Sequence, residues 1–562
     1  MEIDLQEKTL PCLLKESVRR FAGNPALAEV DGETITYTGV GNLVQHVSRY
    51  LRQRGVHEGD RVAILSENMP HWPIAYFSIL SLGAVAVPIL TDFHANEIAH
   101  ILKHSQCKVL FVSEKMLDKW QETGVQPENA ILIDDFSLLP RQTTRERLRE
   151  LIQEGRIEIQ KIKEIILPST KECAVREDDL AVIIYTSGTT GHSKGVMLTH
   201  RNIVSNALLT NSVVQVHDSD RLLSILPLSH TYECTIGLVI PILGGACIHY
   251  LGKPPVARYL LPALEKVRPT MMLTVPLIME KIYKLRILPQ LMEKPVTRFA
   301  MRLTAARKGL YRIAGKKLMK LFGGRLRFFG IGGAALAPAV ERFLADSGFP
   351  YSVGYGLTET SPLISGSPVD AMRFRSSGKV LPEEEVIIHD PDPRTGEGEI
   401  WVRGPNVMKG YYEDPEKTAE VLTSEGWFRT GDLGLKDADN YLFIKGRLKN
   451  MIVGPSGENI YPEEIESVIN KSPWVLESLV FEQEGALSAR VHPNYEYLEE
   501  QTSRNHMTVS DSKRYIGKLL EELRGEVNGQ LSSFSRIRRI IEQVEPFEKT
   551  PTQKIKRYLY VT

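Results

Sequence analysis

From Asp60 to Asp135 short apolar runs alternate with helical stretches: RVAIL, the run beginning at Ile74, AVAVPI, NEIAHILKH, KVLFVS and ILIDD. That alternation predicts βαβ units stacked around mostly parallel sheets, an α/β fold. Two longer apolar runs fit the same scheme. IAYFSILSLGAVAVPIL (Ile74 to Leu90) is interrupted by Gly83 and Pro88, so it reads as a buried helix turning at glycine into a buried strand. A membrane span needs about 20 uninterrupted apolar residues. TIGLVIPILGGACIHY, from Thr235, reads the same way.

With 562 residues the chain exceeds what one core holds, and about three or four compact units are expected. Hydrophobic residues make up 42% and charged residues 25%, which argues against long disorder and against an integral membrane protein. Basic and acidic residues balance at 69 each, so no field over the whole chain favours nucleic acid as a partner. Cys12, Cys107, Cys173, Cys234 and Cys247 are scattered and form no CxxC pair, as in a reducing compartment. MEIDLQEKTL holds no apolar signal core and YLYVT matches no targeting or lipidation signal. A cytoplasmic location is the expectation.

Further along, RQTTRERLRELIQEGRIEIQKIKEI reads as a solvated surface helix. Between Lys281 and Arg327 the chain is strongly basic, with Glu293 the only acid, and Leu303, Leu310, Ile313, Leu318 and Leu321 loosely follow a helical stripe. A helical excursion with one wet basic face is expected there. Such a face is an ordinary solvated surface or a dock for something anionic: coenzyme phosphates, an acidic carrier protein or a lipid surface. HDPDPRTGEGEIWVRG (His389 to Gly404) punctuates strands with proline and glycine, marking a β-rich region. After Lys449 helices and strands alternate again. Ile516, Leu519, Leu520, Leu523 and Val527 share one helix face, which suits a small α+β domain.

The chemistry concentrates in YTSGTTGHSKGVMLTH, Tyr185 to His200. Three glycines let the backbone approach a ligand closely, Thr186, Ser187, Thr189 and Thr190 supply hydroxyls, and Lys194 supplies a point charge. An oligophosphate fits such a loop. It is no Walker P-loop, since counting from Gly188 puts Ser193 where the second glycine belongs and Gly195 where the metal-binding Ser or Thr belongs.

Five more stretches follow in order: FFGIGGAALAP (Phe328 to Pro338), GYGLTETSP (Gly354 to Pro362), WFRTGDLG (Trp427 to Gly434), IKGRLKNMIVGPSGENIYPEEIE (Ile444 to Glu466) and EKTPTQKIKR (Glu548 to Arg557). Together the six resemble the AMP-forming adenylate synthetases, the superfamily of acyl-CoA synthetases, adenylation domains and beetle luciferases, from about Glu33 onward. The departures are Ser193 in place of a usual proline, Gln553 in place of a usual glycine, and Asn450 in place of a common Asp or Glu.

The resemblance implies a large N-terminal domain of stacked βαβ sheets with a β-rich subdomain (1–446), a hinge at 447–449, and a small mobile C-terminal domain (450–562). It implies that Thr186, Ser187, Gly188, Thr189, Thr190 and Lys194 hold the β and γ phosphates of ATP. Gly333 and Ala334 would line the adenine pocket, with Tyr355 and the adjoining Gly356 against the base. Thr358 would contact the α-phosphate and Glu359 would bind Mg²⁺, a hard cation suited to carboxylate and phosphate oxygen. Asp432, assisted by Arg447, would accept both ribose hydroxyls, and Lys554 would neutralise charge developing between carboxylate and phosphate. Lys449 would be the pivot that brings Gly457 toward a thiol tunnel.

His230 and Glu233 sit in LPLSHTYE, which looks most like the long-chain fatty acyl branch. In the family this histidine flanks the acyl pocket; the bland alternative is a hydrogen-bonded core histidine. The implied reaction is activation of a medium- to long-chain fatty acid to acyl-AMP and pyrophosphate, then transfer to the thiol of coenzyme A. Alternatives are a synthetase that loads an acyl carrier protein, docked on the basic segment, and a degenerate nucleotide binder without turnover. Lys194, Glu359, Asp432 and Lys554 are all present, which speaks against the last.

Overall fold

A computed structural model describes residues 5–139, 175–186, 193–453, 459–483, 485–503, 509–550 and 554–561. The charged stretch expected as a surface helix, Cys173, and the loop residues Ser187, Gly188, Thr189, Thr190, Gly457 and Gln553 lie outside these residues.

The alternation from Asp60 onward builds an eight-stranded sheet. Its parallel centre runs Leu180–Thr186, Val85–Ile89, Arg61–Leu65, Val109–Val112 and Asn129–Leu132, with antiparallel strands at both edges. Every residue of Val85–Ile89 and Val109–Val112 is buried, as strands covered on both faces by crossover helices must be. The run from Ile74 folds as read: helix His71–Ser81 ends at a left-handed Gly83, and the strand follows at once. A second sheet of seven strands is parallel from Tyr351–Val353 through Pro25–Glu29, with Thr34–Thr36 antiparallel at its edge.

The run at Thr235 also turns at glycine into a strand, Cys247–Tyr250, but its first part is wider than an α-helix. Tyr232–Val239 is a π-helix, the form that often marks a functional site. The β-rich region is a four-stranded antiparallel sheet, Glu385–His389, Gly398–Arg403, Phe428–Lys436 and Leu442–Arg447. Arg447 closes its last strand, and a 3₁₀ turn, Leu448–Asn450, leads into the C-terminal unit.

That unit has a three-stranded sheet (Val475–Gln483, Ala486–Pro493, Arg539–Glu542) covered by helices Pro462–Ile469 and Val509–Asn528. Leu520, Leu523 and Val527 are buried in its core with Ile516 and Leu519 packed against it, as their spacing predicts. In the basic segment the helices form, but the expected stripe is divided: Leu318 is buried and Leu310 packs against the core, while the rest faces outward. Tyr311, Gly315 and Leu318, at i, i+4 and i+7, turn inward, while Leu303, Ile313 and Leu321 are exposed. Among the described residues no helix is long and apolar enough to cross a membrane.

Candidate active site

The phosphate-loop candidate joins two antiparallel strands, Leu180–Thr186 and Lys194–Thr199, with Thr186 directly opposite Lys194. The Lys194 ammonium lies 4.8 Å from the centre of the Tyr411 ring, a cation–π contact that holds it at the mouth of the hairpin. The Tyr411 hydroxyl donates to Glu359 Oε1 at 3.0 Å, so the loop lysine and the candidate metal carboxylate are joined through one aromatic side chain. Glu359 Oε2 has no hydrogen-bond partner among the described residues, and is a single hard oxygen of the kind Mg²⁺ accepts alongside phosphates and water. Among the described residues no three His, Cys, Asp or Glu side chains gather as a self-sufficient metal cage.

Thr358 and Glu359 ride on a 3₁₀ turn, Thr358–Thr360. Buried amides rivet it in place. Asn406 Nδ2 donates to Thr360 O at 3.0 Å, and Ser361 Oγ donates back to Asn406 O at 2.9 Å. Asn202 Nδ2 donates to Pro405 O and Val407 O, both at 2.8 Å, and Asn206 exchanges bonds with Leu363. Asn202 and Asn206 sit one turn apart on helix His200–Thr210, which Thr199 caps. Sequence reasoning missed these asparagines, because the backbone groups they hold lie more than 150 residues away. The turn also depends on Gly356, where a Cβ would lie 1.8 Å from Pro362 O.

Asp432 and Arg447 face each other across neighbouring strands. Arg447 Nε meets Asp432 Oδ1 at 2.7 Å and the Tyr355 hydroxyl donates to Oδ2 at 2.7 Å. Each carboxylate oxygen keeps a further acceptor site, the pair that a vicinal diol needs. Burial raises the Asp432 carboxyl above its usual range against the opposing pull of Arg447, Tyr355 and Lys554. Gly333 has φ +88°, and with Ala334 it lies exposed, open for a planar ligand to lie against backbone.

Lys554 enters from the C-terminal unit, where its carbonyl oxygen accepts from Thr550 N at 2.7 Å. Loss of hydration, then Arg447 and Lys449, pull its ammonium below the ordinary lysine range, while Asp432 and Glu359 act the other way. Lys554 thus shares one electrostatic site with the ribose candidate, the metal candidate and the hinge candidate Lys449. Asn450, where an acid is common, donates to Glu463 Oε1 at 2.7 Å instead of forming an ion pair.

His230 lies within reach of the same charge. Burial, with Lys554 nearby, lowers its imidazole to about 4, so it is neutral at pH 7. Tyr232 N donates to His230 Nδ1 at 3.1 Å, which leaves the proton on Nε2. One ring nitrogen of His230 is thereby satisfied by the chain, and Nε2 has no hydrogen-bond partner among the described residues.

Beneath it is a network that sequence reasoning did not find. Asn68 Nδ2 donates to Leu226 O at 2.6 Å and its Oδ1 accepts from Leu228 N at 2.9 Å, clamping the loop that carries His230. Asn68 also donates to Ser224 Oγ at 3.0 Å, which donates to Glu233 Oε1 at 2.5 Å. Glu233 is buried, its Oε2 has no partner, and burial raises its carboxyl to about 8. Between the unfolded value near 4.5 and about 8 the folded chain holds a proton the unfolded chain releases, so this group makes stability fall as pH rises. Glu233→Gln should therefore gain on the wild type by a few kcal/mol from pH 5 to pH 8, read by urea unfolding at both values. An unchanged difference between the variants would refute a neutral Glu233.

Against the π-helix lies a small cavity of about 20 Å³, lined by Tyr232, Ile236, Leu273, Phe328, Gly330 and Leu363 among others. That is room for about one water. Of its lining residues only Thr210, Tyr232 and Ser352 carry a polar side chain, and none is charged.

The sequence profile of AMP-binding enzymes matches residues 14–412. The chain is 28% identical to the putative acyl-CoA synthetase YngI of Bacillus subtilis, covering 84% of this chain and 85% of that protein. It is 29% identical to the long-chain-fatty-acid–CoA ligase FadD15 of Mycobacterium bovis, covering 93% and 90%. Among solved structures, ATP-bound MatB from Rhodopseudomonas palustris superimposes with a TM-score of 0.75 at 25% identity, over 99% of this chain and 98% of that one.

Proposed function

The chain belongs to the AMP-binding enzyme family, as an adenylate-forming acid–CoA ligase with ATP and coenzyme A as co-substrates, and on that premise we propose that its acid is a medium- to long-chain fatty acid. The observation that carries the reading is the electrostatic convergence of Lys554, Asp432, Glu359 and Arg447 near His230, with Tyr232, whose amide bonds to His230, lining an uncharged, mostly apolar cavity. No cationic side chain lines that cavity to pair a second carboxylate, and no acid lines it to pair an amine.

A carboxylic acid is already an anion at pH 7, so its attack on the α-phosphorus needs charge screening and alignment, not a base. Lys194 and the hydroxyls beside it would hold the leaving pyrophosphate. Asp432 would fix the ribose, and Tyr355, tied to Asp432, would fix the base. Lys554 would sit between the two anions as they meet. Mg²⁺, bound through Glu359 and the phosphates, would add a second positive charge on the polyphosphate. Turning about Lys449 would then withdraw Lys554 and open the acyl-AMP to the thiol, a motion that a few backbone torsions suffice for.

The uncharged cavity favours an aliphatic acid, while its small volume means that a long chain enters only as Tyr232 and the π-helix shift. Tyr232→Ala should thus raise kcat/KM for C14–C18 acids relative to C6–C8 by about tenfold, measured as thioester formation with coenzyme A. An unchanged chain-length profile would remove Tyr232 from the pocket. Pyrophosphate release across C2 to C18 acids tests the acid itself, and release confined to short or aromatic acids would overturn the fatty-acid reading. Coenzyme A as acceptor is expected to outpace an acyl carrier protein in the same assay.

A further inference from the structure

The basic excursion holds fourteen Lys and Arg against one acid between Lys281 and Arg327, in a chain whose formal net charge is +0. Its field is therefore local. Seven of the seventeen exposed large apolar side chains among the described residues also lie here, between Leu285 and Leu321. Val296 is 79% exposed, Phe299 64% and Leu303 52%, and with Met292 they fall at intervals of three to four residues along the short helices Leu288–Met292 and Pro295–Ala300 and the turn that follows.

Solvated faces are polar, and apolar side chains this exposed normally occur singly. Here they alternate with Arg286, Lys294 and Arg302, which are exposed and have no carboxylate partner among the described residues. On the other side the segment is anchored by Tyr283, Leu291, Tyr311 and Leu318 in the core, and Lys284 Nζ donates to Val475 O of the C-terminal unit at 3.1 Å.

We propose that this face, Leu285 to Leu321, docks the enzyme on an anionic lipid surface. Phe299, Val296 and Leu303 would enter the boundary between headgroups and acyl chains, while the arginines and lysines around them meet headgroup phosphates, their stems lying along apolar surface. The enzyme lies on the bilayer and does not span it, since none of these helices is long and apolar enough to cross. An acidic protein would satisfy the cations but has no need of the apolar row. The inference concerns a surface, and does not rest on which acid the cleft activates.

The test is flotation of the full chain with phosphatidylcholine vesicles, with and without about 30% phosphatidylglycerol. Binding should be about tenfold or more stronger to the anionic vesicles and should weaken with salt. Arg286→Glu with Lys294→Glu and Arg302→Glu should lower it about tenfold or more, and Val296→Ser with Phe299→Ser several-fold, both variants keeping wild-type turnover of a water-soluble acid. Absence of vesicle binding overturns the proposal. So does loss in the charge variant alone, with the Val296 and Phe299 variant binding as wild type, because any polyanion, an acidic carrier protein included, would then serve.

Discussion

Replacing Lys554 by alanine should lower acyl-AMP formation about 10³-fold while leaving thioester formation from supplied acyl-AMP close to wild type. The charges of Asp432, Glu359, Arg447 and Lys449 all act upon this side chain. A preorganised charge of this kind in a poorly hydrated cleft contributes about 10²- to 10³-fold through one donor, and more when it carries full charge. Loss of both half-reactions would refute the division of labour between two positions of the C-terminal unit.

The wild type offers a companion measurement. In the proposed mechanism Lys554 works as an ammonium, and its surroundings pull it below the ordinary lysine range, so adenylation should decline on the alkaline side at lower pH than an unperturbed lysine would allow. The thioester step, which does not use this group, should not share that limb.

The second large effect is at Asp432. Asp432→Asn keeps the shape but removes the charge that Arg447 pairs with and weakens the acceptors offered to the ribose. Two charge-assisted hydrogen bonds are worth about 1.5–3 kcal/mol each, so the KM for ATP should rise about 100-fold or more. Asp432→Ala should in addition lower stability by about 3 kcal/mol, because the Arg447 guanidinium, side chain 35% exposed, is left without its partner. If KM for ATP stayed at the wild-type value in Asp432→Asn, the ribose assignment would be wrong.

Much of this was legible before any coordinates. Alternating apolar runs gave the eight-stranded sheet, because period and length are local properties. The helix face of Ile516 to Val527 packs as its spacing predicts. The family followed from six motifs in order, each a short loop whose glycines and charges are adjacent in sequence. What was not legible joins distant segments. Asn206 meets Leu363, Asn202 meets Pro405 and Val407, and Asn68 meets Ser224 and Leu226, across more than 150 residues in each case.

The basic segment shows the limit of pattern reading. A stripe of leucines is ordinarily the inward face, but here only Leu310 and Leu318 of the stripe pack inward, beside Tyr311 and Gly315, and Leu303, Ile313 and Leu321 are left to the outside. Spacing identifies a face, and only packing says which way it turns. Local period also says nothing of the π-helix at Tyr232–Val239, which widens the turn around buried Glu233.

The central claim is that Lys554, Asp432, Glu359 and the Thr186–Lys194 hairpin together activate a carboxylate on ATP. Isotope exchange between labelled pyrophosphate and ATP, with an acid but no thiol present, tests it most directly, since it reads only the first half-reaction. Exchange that requires a fatty acid, and that disappears in Lys554→Ala, is the predicted result. Exchange that ignores the acid, or none with any acid from C2 to C18, would contradict it.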